Sequence, residues 1–290
     1  MQNNFPESMR LETEAPLDAH VSGSGRQEMG EDSDDEDAEA LDSLAPSVVK
    51  LARRTRKYVH LMLQNRTYST TCPGLRIRIS EIASNFNDTE LHPLFRRYLY
   101  GEKNPNDRCS PDDLPLERCP SVDPRISVVS SATAIFFAPS DPSGATGHKK
   151  ERLRATTSWR NRTSRYDTVL VKTCVAPGPH GLSVARLRLL FSFKYEGVIY
   201  PVALVEWFSY VGDSPDEDTG MWVVERETRA DGLPLVDFIC VNTILRSCHL
   251  LPLYGNKTLS RDITHDDSLD VFKTYYLNKY ADHHSFEILS

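Results

Sequence analysis

Basic side chains with aromatic rings between them form the pattern in this sequence best suited to a chemical task. Residues 149–172 hold eight Lys or Arg side chains against two acidic ones, with Trp159 and Tyr166 interleaved. Lys and Arg neutralise phosphate groups, and aromatic rings stack on bases or sugars. With two arginines of a later strand, the predicted nucleic-acid-binding residues are Lys149, Lys150, Arg152, Arg154, Arg160, Arg162, Arg165, Arg186 and Arg188. The alternative is a solvated basic surface that balances negative charge elsewhere in the chain.

Carboxylates are the second candidate, because phosphoryl transfer needs two or three of them to hold Mg²⁺. Four cluster in one short segment, as Asp213, Asp216, Glu217 and Asp218. A two-metal site draws its ligands from separate rigid elements, which a single loop does not offer. The segment also departs from an EF-hand, because Met221 stands where the sixth position requires Gly. We therefore expect a solvated acidic turn, with weak cation binding as the alternative.

Histidine and cysteine are the third candidate, for zinc. The chain has six Cys, none in the Cys-x-x-Cys spacing typical of zinc ribbons and thioredoxin-like redox sites. The residues that could still meet around a metal are Cys240, Cys248, His249, His265, Asp282, His283 and His284. Adjacent histidines on a helix point about 100° apart and share a metal poorly. The pattern favours structural histidines, one of them hydrogen-bonded to the β domain, and predicts no bound metal.

The remaining candidate sites are weaker. The sequence has no Gly-x-Ser-x-Gly nucleophile elbow and no glycine-rich phosphate loop. We therefore expect no catalysis, no cofactor and no small-molecule substrate. Four aromatic residues, Tyr200, Trp207, Tyr210 and Trp222, suit either a cage for methyl-lysine or, more simply, a hydrophobic core.

Charge is divided unevenly along the chain. The 290 residues carry a net charge of -7, but residues 1–46 alone hold 13 acidic and two basic side chains. This segment includes the acidic run 31–37 and almost no large apolar residues, so it is predicted to be a disordered acidic tail. The rest of the chain is mildly basic, and sites for a partner are expected in that part.

Composition excludes several classes of protein. No apolar run approaches the roughly 20 residues that a membrane-spanning helix needs, so no membrane partner is expected. The acidic N-terminus lacks the basic-then-apolar pattern of a secretion signal. Six cysteines in 290 residues are too few for a disulfide scaffold. We expect an intracellular protein with reduced thiols.

The first half of the chain is predicted to hold little besides helices and a linker. Residues 47–101 read as a small helical region, with one helix over 47–66 and a second over Glu90–Tyr100. The basic run Lys50–Lys57 suits either a nuclear-import signal or the polar face of an amphipathic helix. Five prolines make residues 102–124 a linker.

Residues 125–290 are predicted to form a mainly β domain. Apolar and polar side chains alternate along Val184–Tyr195, with Leu190 as the only exception, which predicts a half-buried strand. Arg186 and Arg188 are then expected to face solvent or a partner. Glu196-Gly197 predicts a hairpin turn into a second strand, Val198–Phe208.

Shorter elements complete this domain. The basic segment around Lys149–Arg165 is expected to be rich in loops. Further strands are predicted at residues 126–129, 134–138, 168–175, 221–225, 235–241 and 248–253, and a C-terminal helix at 268–288. The expected fold class is α+β, mainly β, with a small antiparallel barrel or sandwich, a C-terminal helix and short N-terminal helices after a disordered acidic tail.

A family resemblance covers a little under half of the chain, at its C-terminal end. The residues that carry it lie in one order, at 165–167, Ala185–Phe193, Tyr200–Phe208, Asp216–Val224, Ile244–Arg246, His249–Leu250, Leu253–Gly255 and Tyr276–His284. With these blocks the segment resembles the C-terminal region of fungal transposon-encoded proteins of the Kyakuja-Dileera-Zisupton type, including Plavaka transposases. The resemblance implies a mobile-DNA context and a nuclear location, with the cytoplasm as the alternative.

The resemblance does not imply catalysis, because the acidic triad of the full-length transposases lies in a separate core that this sequence lacks. The function expected is that of a non-catalytic, transposon-derived nucleic-acid or chromatin-associated module, with DNA or chromatin as its partner. The alternative is a protein–protein interaction module that docks a transposase or another nuclear protein without binding DNA.

Overall fold

The computed structural model describes residues 47–51, 61–63, 66–68, 76–107, 113–140, 147–160, 163–173, 179–255, 258–264 and 267–290. All of them belong to one compact unit, Leu44–Ser290. This unit is mainly β with a C-terminal helix, as the sequence predicted. The predicted acidic tail, residues 1–46, lies outside the described residues. None of the helices in the described ranges is long and apolar enough to cross a membrane.

The strands outnumber the helices along the whole described chain. The strands are β1 (Ser47–Leu51), β2 (Leu61–Leu63), β3 (Arg66–Tyr68), β4 (Arg76–Arg78), β5 (Arg125–Val129), β6 (Ser131–Phe137), β7 (His148–Thr156), β8 (Arg165–Tyr166), β9 (Thr168–Lys172), β10 (Leu182–Tyr195), β11 (Val198–Tyr210), β12 (Trp222–Arg226), β13 (Val236–Cys240), β14 (Ile244–Ser247), β15 (Leu250–Leu253) and β16 (Thr274–Leu277). The α-helices are α1 (Ile79–Phe86), α2 (Leu91–Lys103), α3 (Ser268–Val271) and α4 (His283–Leu289).

The larger sheet is antiparallel and curls back on itself. Its order is β14-β9-β10-β11-β12-β16-β15, with β5 and β4 beside the far end of β10 and β13 beside β11. The two strands at the ends of this order, β14 and β15, are joined by only Cys248 and His249. The Cys248 N–H bonds to the Thr168 carbonyl at 2.9 Å, and the His249 carbonyl accepts from the Asn278 N–H at 2.9 Å. One bent segment therefore pairs with strands at both edges of the sheet.

The inside of this curl is a hydrophobic core, closed at one end by α4. It contains Leu170, Leu182, Val184, Phe208, Val224, Leu250, Tyr275, Leu277 and Leu289. These side chains come from strands all around the curl, as expected when residues of one parity face inward. Tyr275 is fully buried, and its hydroxyl donates to the Phe272 carbonyl at 2.6 Å.

A β-bulge at Arg188 changes which face of β10 each parity occupies. The register with β11 shifts between Leu187 and Leu189. Leu187, before the bulge, and Leu190, after it, both pack in the core that faces the smaller sheet. Leu189 packs in the core beneath α1 and α2. An extra residue in one strand moves the following side chains to the other face. The bulge explains why Leu190 breaks the alternation of apolar and polar residues in the sequence.

A smaller sheet, in the order β1-β6-β7-β8, lies against the outer face of β9, β10 and β11. Both sheets bury small and β-branched side chains between them. This core contains Ala132, Ala134, Phe136, Ala138, Leu153, Ala155, Val169, Val171, Ala185, Leu187, Leu190, Ala203, Val205, Ile239, Val241 and Ile244. The arrangement therefore combines a curled sheet with a sandwich layer.

The two N-terminal helices cover the other end of β10 and β11. Phe95 of α2 is fully buried and meets Phe193 and Phe238 edge-on, with ring centroids 5.1 and 5.5 Å apart. Arg96 fixes the following proline-rich chain, because its guanidinium donates to the carbonyls of Leu116, Cys119 and Pro120 at 2.7–3.0 Å. The described part of the predicted linker is thus bound to α2.

Most predicted strands are confirmed, and three local predictions are wrong. The helix predicted over 47–66 is replaced in its described parts by strands, because the valines of β1 pair with β6. The long helix over 268–288 is broken by β16, whose Tyr275 and Leu277 alternate into the core of the curl. The basic segment forms the long strand β7, because its Leu153 and Ala155 face the core between the sheets.

The core beneath α1 and α2 should contribute strongly to stability. Ile126 of β5 is fully buried there, whereas Ile199 at the β10–β11 hairpin is 67% exposed. We predict that Ile126→Ala lowers the free energy of unfolding by about 2–5 kcal/mol, because it removes buried methyl groups and leaves a cavity. The matched control Ile199→Ala should change it by less than about 0.5 kcal/mol. Urea unfolding followed by circular dichroism measures both, and equal effects would contradict this assignment of the core.

Candidate nucleic-acid interface

The predicted basic residues of β7 divide between the two faces of the small sheet. Lys150 and Arg152 are exposed on one face, and Arg154 follows them half-buried. The intervening residues, including Leu153 and Ala155, face the core. Because side chains alternate along a strand, Lys150, Arg152 and Arg154 lie on the same surface.

The hairpin from β7 to β8 adds more positive charge around one tryptophan. The guanidinium carbons of Arg154, Arg160 and Arg165 lie 4.1, 5.3 and 5.5 Å from the centre of the Trp159 ring. The backbone N–H of Trp159 bonds to the Thr163 carbonyl at 2.9 Å, which fixes the hairpin that carries the ring. We call Lys150, Arg152, Arg154, Arg160 and Arg165 the cationic strip.

One carboxylate organises the Trp159 end of this strip. Asp167 accepts from the Arg165 Nε at 2.8 Å with one oxygen and from the Arg154 backbone N–H at 2.8 Å with the other. Burial, and then the charge of Arg165, lower the pKa of Arg154, although Asp167 opposes them. A cation crowded by other cations gains most from an anionic ligand. The strip is therefore suited to bind phosphate groups.

An exposed aromatic pair ends the same face of the sheet. Phe137 of β6 lies directly opposite His148 of β7, and their ring centroids are 5.4 Å apart. The Phe137 side chain is 48% exposed. Gly147 makes room for it, since a Cβ at Gly147 would lie 2.9 Å from a Phe137 ring carbon, and its φ of +74° also favours glycine. This pair was not predicted from the sequence. The only local sign of it is the dipeptide Gly147-His148 directly before the basic residues.

Lys149 belongs to the other face and not to the strip. Its Nζ lies 3.6 Å from Asp282 Oδ2, near the C-terminal helix. Arg162 lies outside the described residues. The predicted set therefore includes five residues that the structure brings together on one surface.

Arg186 does not face solvent, so that part of the prediction is wrong. Its side chain is 5% exposed, and both terminal nitrogens donate to Asp270, at 2.6 and 3.1 Å. Arg188, the bulge residue, has its Nη1 3.0 Å from Glu206 Oε1 and stacks over Tyr166 at 4.9 Å. Carboxylate partners offset the cost of removing a guanidinium from water, and both arginines have such partners. Arg186 and Arg188 thus hold the β10–β11 face together and do not extend the strip.

The acidic segment forms a turn. Asp216 Oδ1 accepts from the Thr219 N–H at 2.9 Å and from the Thr219 hydroxyl at 2.7 Å, while Asp213 and Asp218 are exposed. These hydrogen bonds lower the pKa of Asp216. Hydrogen bonds inside the segment are sufficient to account for its geometry.

The four aromatic residues considered as a cage pack in different places. Trp207 lies against the core between the sheets, and Tyr200 stacks on Phe193 beneath the helices with ring centroids 5.1 Å apart. Tyr210 and Trp222 meet edge-on at 5.4 Å, beside the core of the curled sheet. The described structure therefore does not bring the four rings around one ligand.

The candidate zinc residues are also dispersed. Within the described ranges, no three His, Cys, Asp or Glu side chains converge on a point where a metal could bind. Burial raises the pKa of Cys248 to about 12, so this thiol stays protonated. His265 lies outside the described residues.

His284 instead takes part in a buried contact that attaches α4 to the sheets. Arg246 of β14 is 3% exposed, donates to Asp282 at 2.9 and 2.6 Å, and has Nη1 3.1 Å from His284 Nδ1. The His284 ring stacks on Phe136 with centroids 4.9 Å apart. Arg246 can only donate, so His284 Nδ1 accepts and the imidazole is neutral. We call these four side chains the α4 latch.

Comparison of the chain with protein-family models, with curated proteins and with solved structures gave no match. A function for the chain is therefore inferred from its geometry.

The α4 latch should make stability depend on pH. Burial, and then the Arg246 charge, lower the pKa of His284, while Asp282 and Glu287 oppose this and Lys149 adds to it. Below about pH 6.5 the unfolded chain then binds a proton that the folded chain excludes, so the free energy of unfolding falls as pH falls. We predict that His284→Asn reduces this fall between about pH 7 and about pH 5.

The exposed neighbour provides the control for this prediction. His283→Asn should leave the pH dependence as it is in the wild type, because His283 lies outside the latch. Urea unfolding at a series of pH values measures the slope. An unchanged slope in His284→Asn would show that the latch histidine does not govern it.

Proposed function

We propose that this chain is a non-catalytic module that binds nucleic acid or chromatin through the cationic strip. The observation that carries the proposal is the gathering of five cationic side chains on one surface, three of them around Trp159. Asp167, whose Oδ1 lies 2.8 Å from Arg165 Nε, positions that arginine within the strip. Such a cationic surface gains free energy by releasing the counterions of a phosphate backbone.

The same surface supports binding in preference to catalysis. The strip offers guanidinium and ammonium groups, which position phosphates, whereas phosphoryl transfer by metal ions relies on converging carboxylates. The sequence blocks that resemble transposon-encoded proteins support a mobile-DNA origin and a nuclear setting for this binding. We therefore propose DNA or chromatin as the partner.

Charge reversal tests the proposal. We predict that Lys150→Glu/Arg152→Glu weakens binding to a fluorescently labelled oligonucleotide by at least about tenfold at low salt, because attraction to phosphates is replaced by repulsion. The slope of log K against log salt should also fall by about 0.7–0.9 for each phosphate that is no longer neutralised. Fluorescence anisotropy over a salt series measures both quantities.

The control keeps the same change in net charge. Lys194→Glu/Lys273→Glu alters two exposed lysines outside the strip and should keep near-wild-type affinity. If both double variants lose affinity equally, net charge alone is responsible and the strip is not the site. If the wild type binds neither single-stranded nor duplex DNA at low salt, the proposed function is wrong.

A second function is favoured by one observation, the apolar tip of the β10–β11 hairpin. Val198 is 53% exposed and Ile199 is 67% exposed. Apolar side chains presented together on a hairpin suit a protein–protein contact, such as docking to a transposase or another nuclear protein. We predict that Val198→Ser/Ile199→Ser abolishes capture of such a partner if this function is the true one. Partner capture that persists after nuclease treatment, and also in the Lys150→Glu/Arg152→Glu variant, would favour protein–protein docking over nucleic-acid binding.

A further inference from the structure

The surface that carries the cationic strip has an aromatic group at each end. Phe137 and His148 lie at the start of β7, and Trp159 lies just beyond its end. Phe137 pairs with His148, and Ser131 pairs with Arg154, so β6 and β7 keep one register along this whole length. Lys150, Arg152 and Arg154 lie between the two ends. The order along the face is thus aromatic, cationic and aromatic.

Lys150, Arg152 and Arg154 form a single row with a regular spacing along β7. Side chains two residues apart on a strand are separated by about 6.6 Å, and the seven residues from His148 to Arg154 span about 20 Å. This spacing is close to the distance between successive phosphates of an extended nucleic-acid strand. One row therefore follows one backbone and does not bracket the two backbones of a duplex.

The aromatic ends distinguish single strands from duplexes more strongly than the cations do. An aromatic ring or an arginine plane stacks on a base only when the base face is free. Bases inside a duplex are already stacked on both faces, so Phe137 and Trp159 would gain nothing from them. Trp159 already stacks with Arg154 at 4.1 Å, which gives that end a preformed stacking surface.

We infer that this face is a binding path for single-stranded nucleic acid, with the phosphates on the cationic strip and unpaired bases against Trp159 and Phe137. This inference rests on the proposed function and narrows its ligand. Phosphates and base faces are common to DNA and RNA, so single strands of both fit the path. Duplex DNA is held by the same cations alone and binds more weakly.

The test compares strands of equal length. Labelled oligothymidine and oligouridine of about 12 nucleotides match the site sizes of known single-strand binders, and a duplex of about 12 base pairs provides the comparison. We expect the wild-type chain to bind at least one of the single strands about tenfold more tightly than the duplex. Trp159→Leu and Phe137→Leu should each weaken single-strand binding about three- to tenfold and change duplex binding less than about twofold.

Matched variants separate stacking from folding. Phe286→Leu removes another ring that is 48% exposed, but on α4 and away from the strip, and should leave binding unchanged. Trp159→Phe keeps a stacking ring and should retain most of the affinity that Trp159→Leu loses. The thermal midpoint of each variant, followed by circular dichroism, verifies that it is folded.

The outcomes distinguish failure of the inference from failure of the proposed function. Duplex binding as tight as single-strand binding overturns the single-strand path, and so does an equal weakening of both affinities in the Leu variants. In either case, sensitivity to Lys150→Glu/Arg152→Glu would still support nucleic-acid binding by the strip. Absence of binding to all three oligonucleotides removes both proposals.

Discussion

The pairing of β10 with β11 is the constraint on which the rest of the structure depends, because these two strands supply side chains to all three hydrophobic cores. A strand has only two faces, yet β10 serves three layers. It does so by its length and by the bulge at Arg188, which reassigns its faces between Leu187 and Leu189. The curled sheet, the small sheet and the helices are each positioned by a different part of this pair.

The burial of charge follows from the same arrangement. Asp270 of α3 holds Arg186, Glu206 of β11 holds Arg188, and Asp282 at the start of α4 holds Arg246. Removing one partner of such a pair leaves a charge in a medium that solvates it poorly. The arginines around Trp159 lie instead at the edge of the small sheet, where they crowd one another around a ring. The chain thus separates arginines that hold the fold from arginines that we assign to a ligand.

Local patterns in the sequence predicted the β class and most strands, because alternation and turn residues act over short distances. They also identified the basic residues as a candidate site, but placed Lys150, Arg152 and Arg154 in a loop-rich segment and not on the strand β7 that aligns them on one surface. They did not predict that Arg186 would be buried, because its partner Asp270 lies far along the chain. The helix predicted over 268–288 was wrong for a related reason. Tyr275 packs in a core formed by strands that are distant in sequence, and the spacing of residues within 268–288 does not show those strands. Pairing between residues distant in sequence therefore determined features of the structure that local sequence patterns could not predict.

The join between β14 and β15 has a consequence for how the chain acquires its structure. The segment Ile244–Leu253 must find β9 on one side and β16 on the other before the curl is complete. Contacts between residues so distant in sequence form slowly, because the intervening chain loses freedom before the contacts repay it. During synthesis, β9 and β10 leave the ribosome with one edge unpaired until these later strands arrive. The later strands are therefore the ones that seal the sheet against association with other chains.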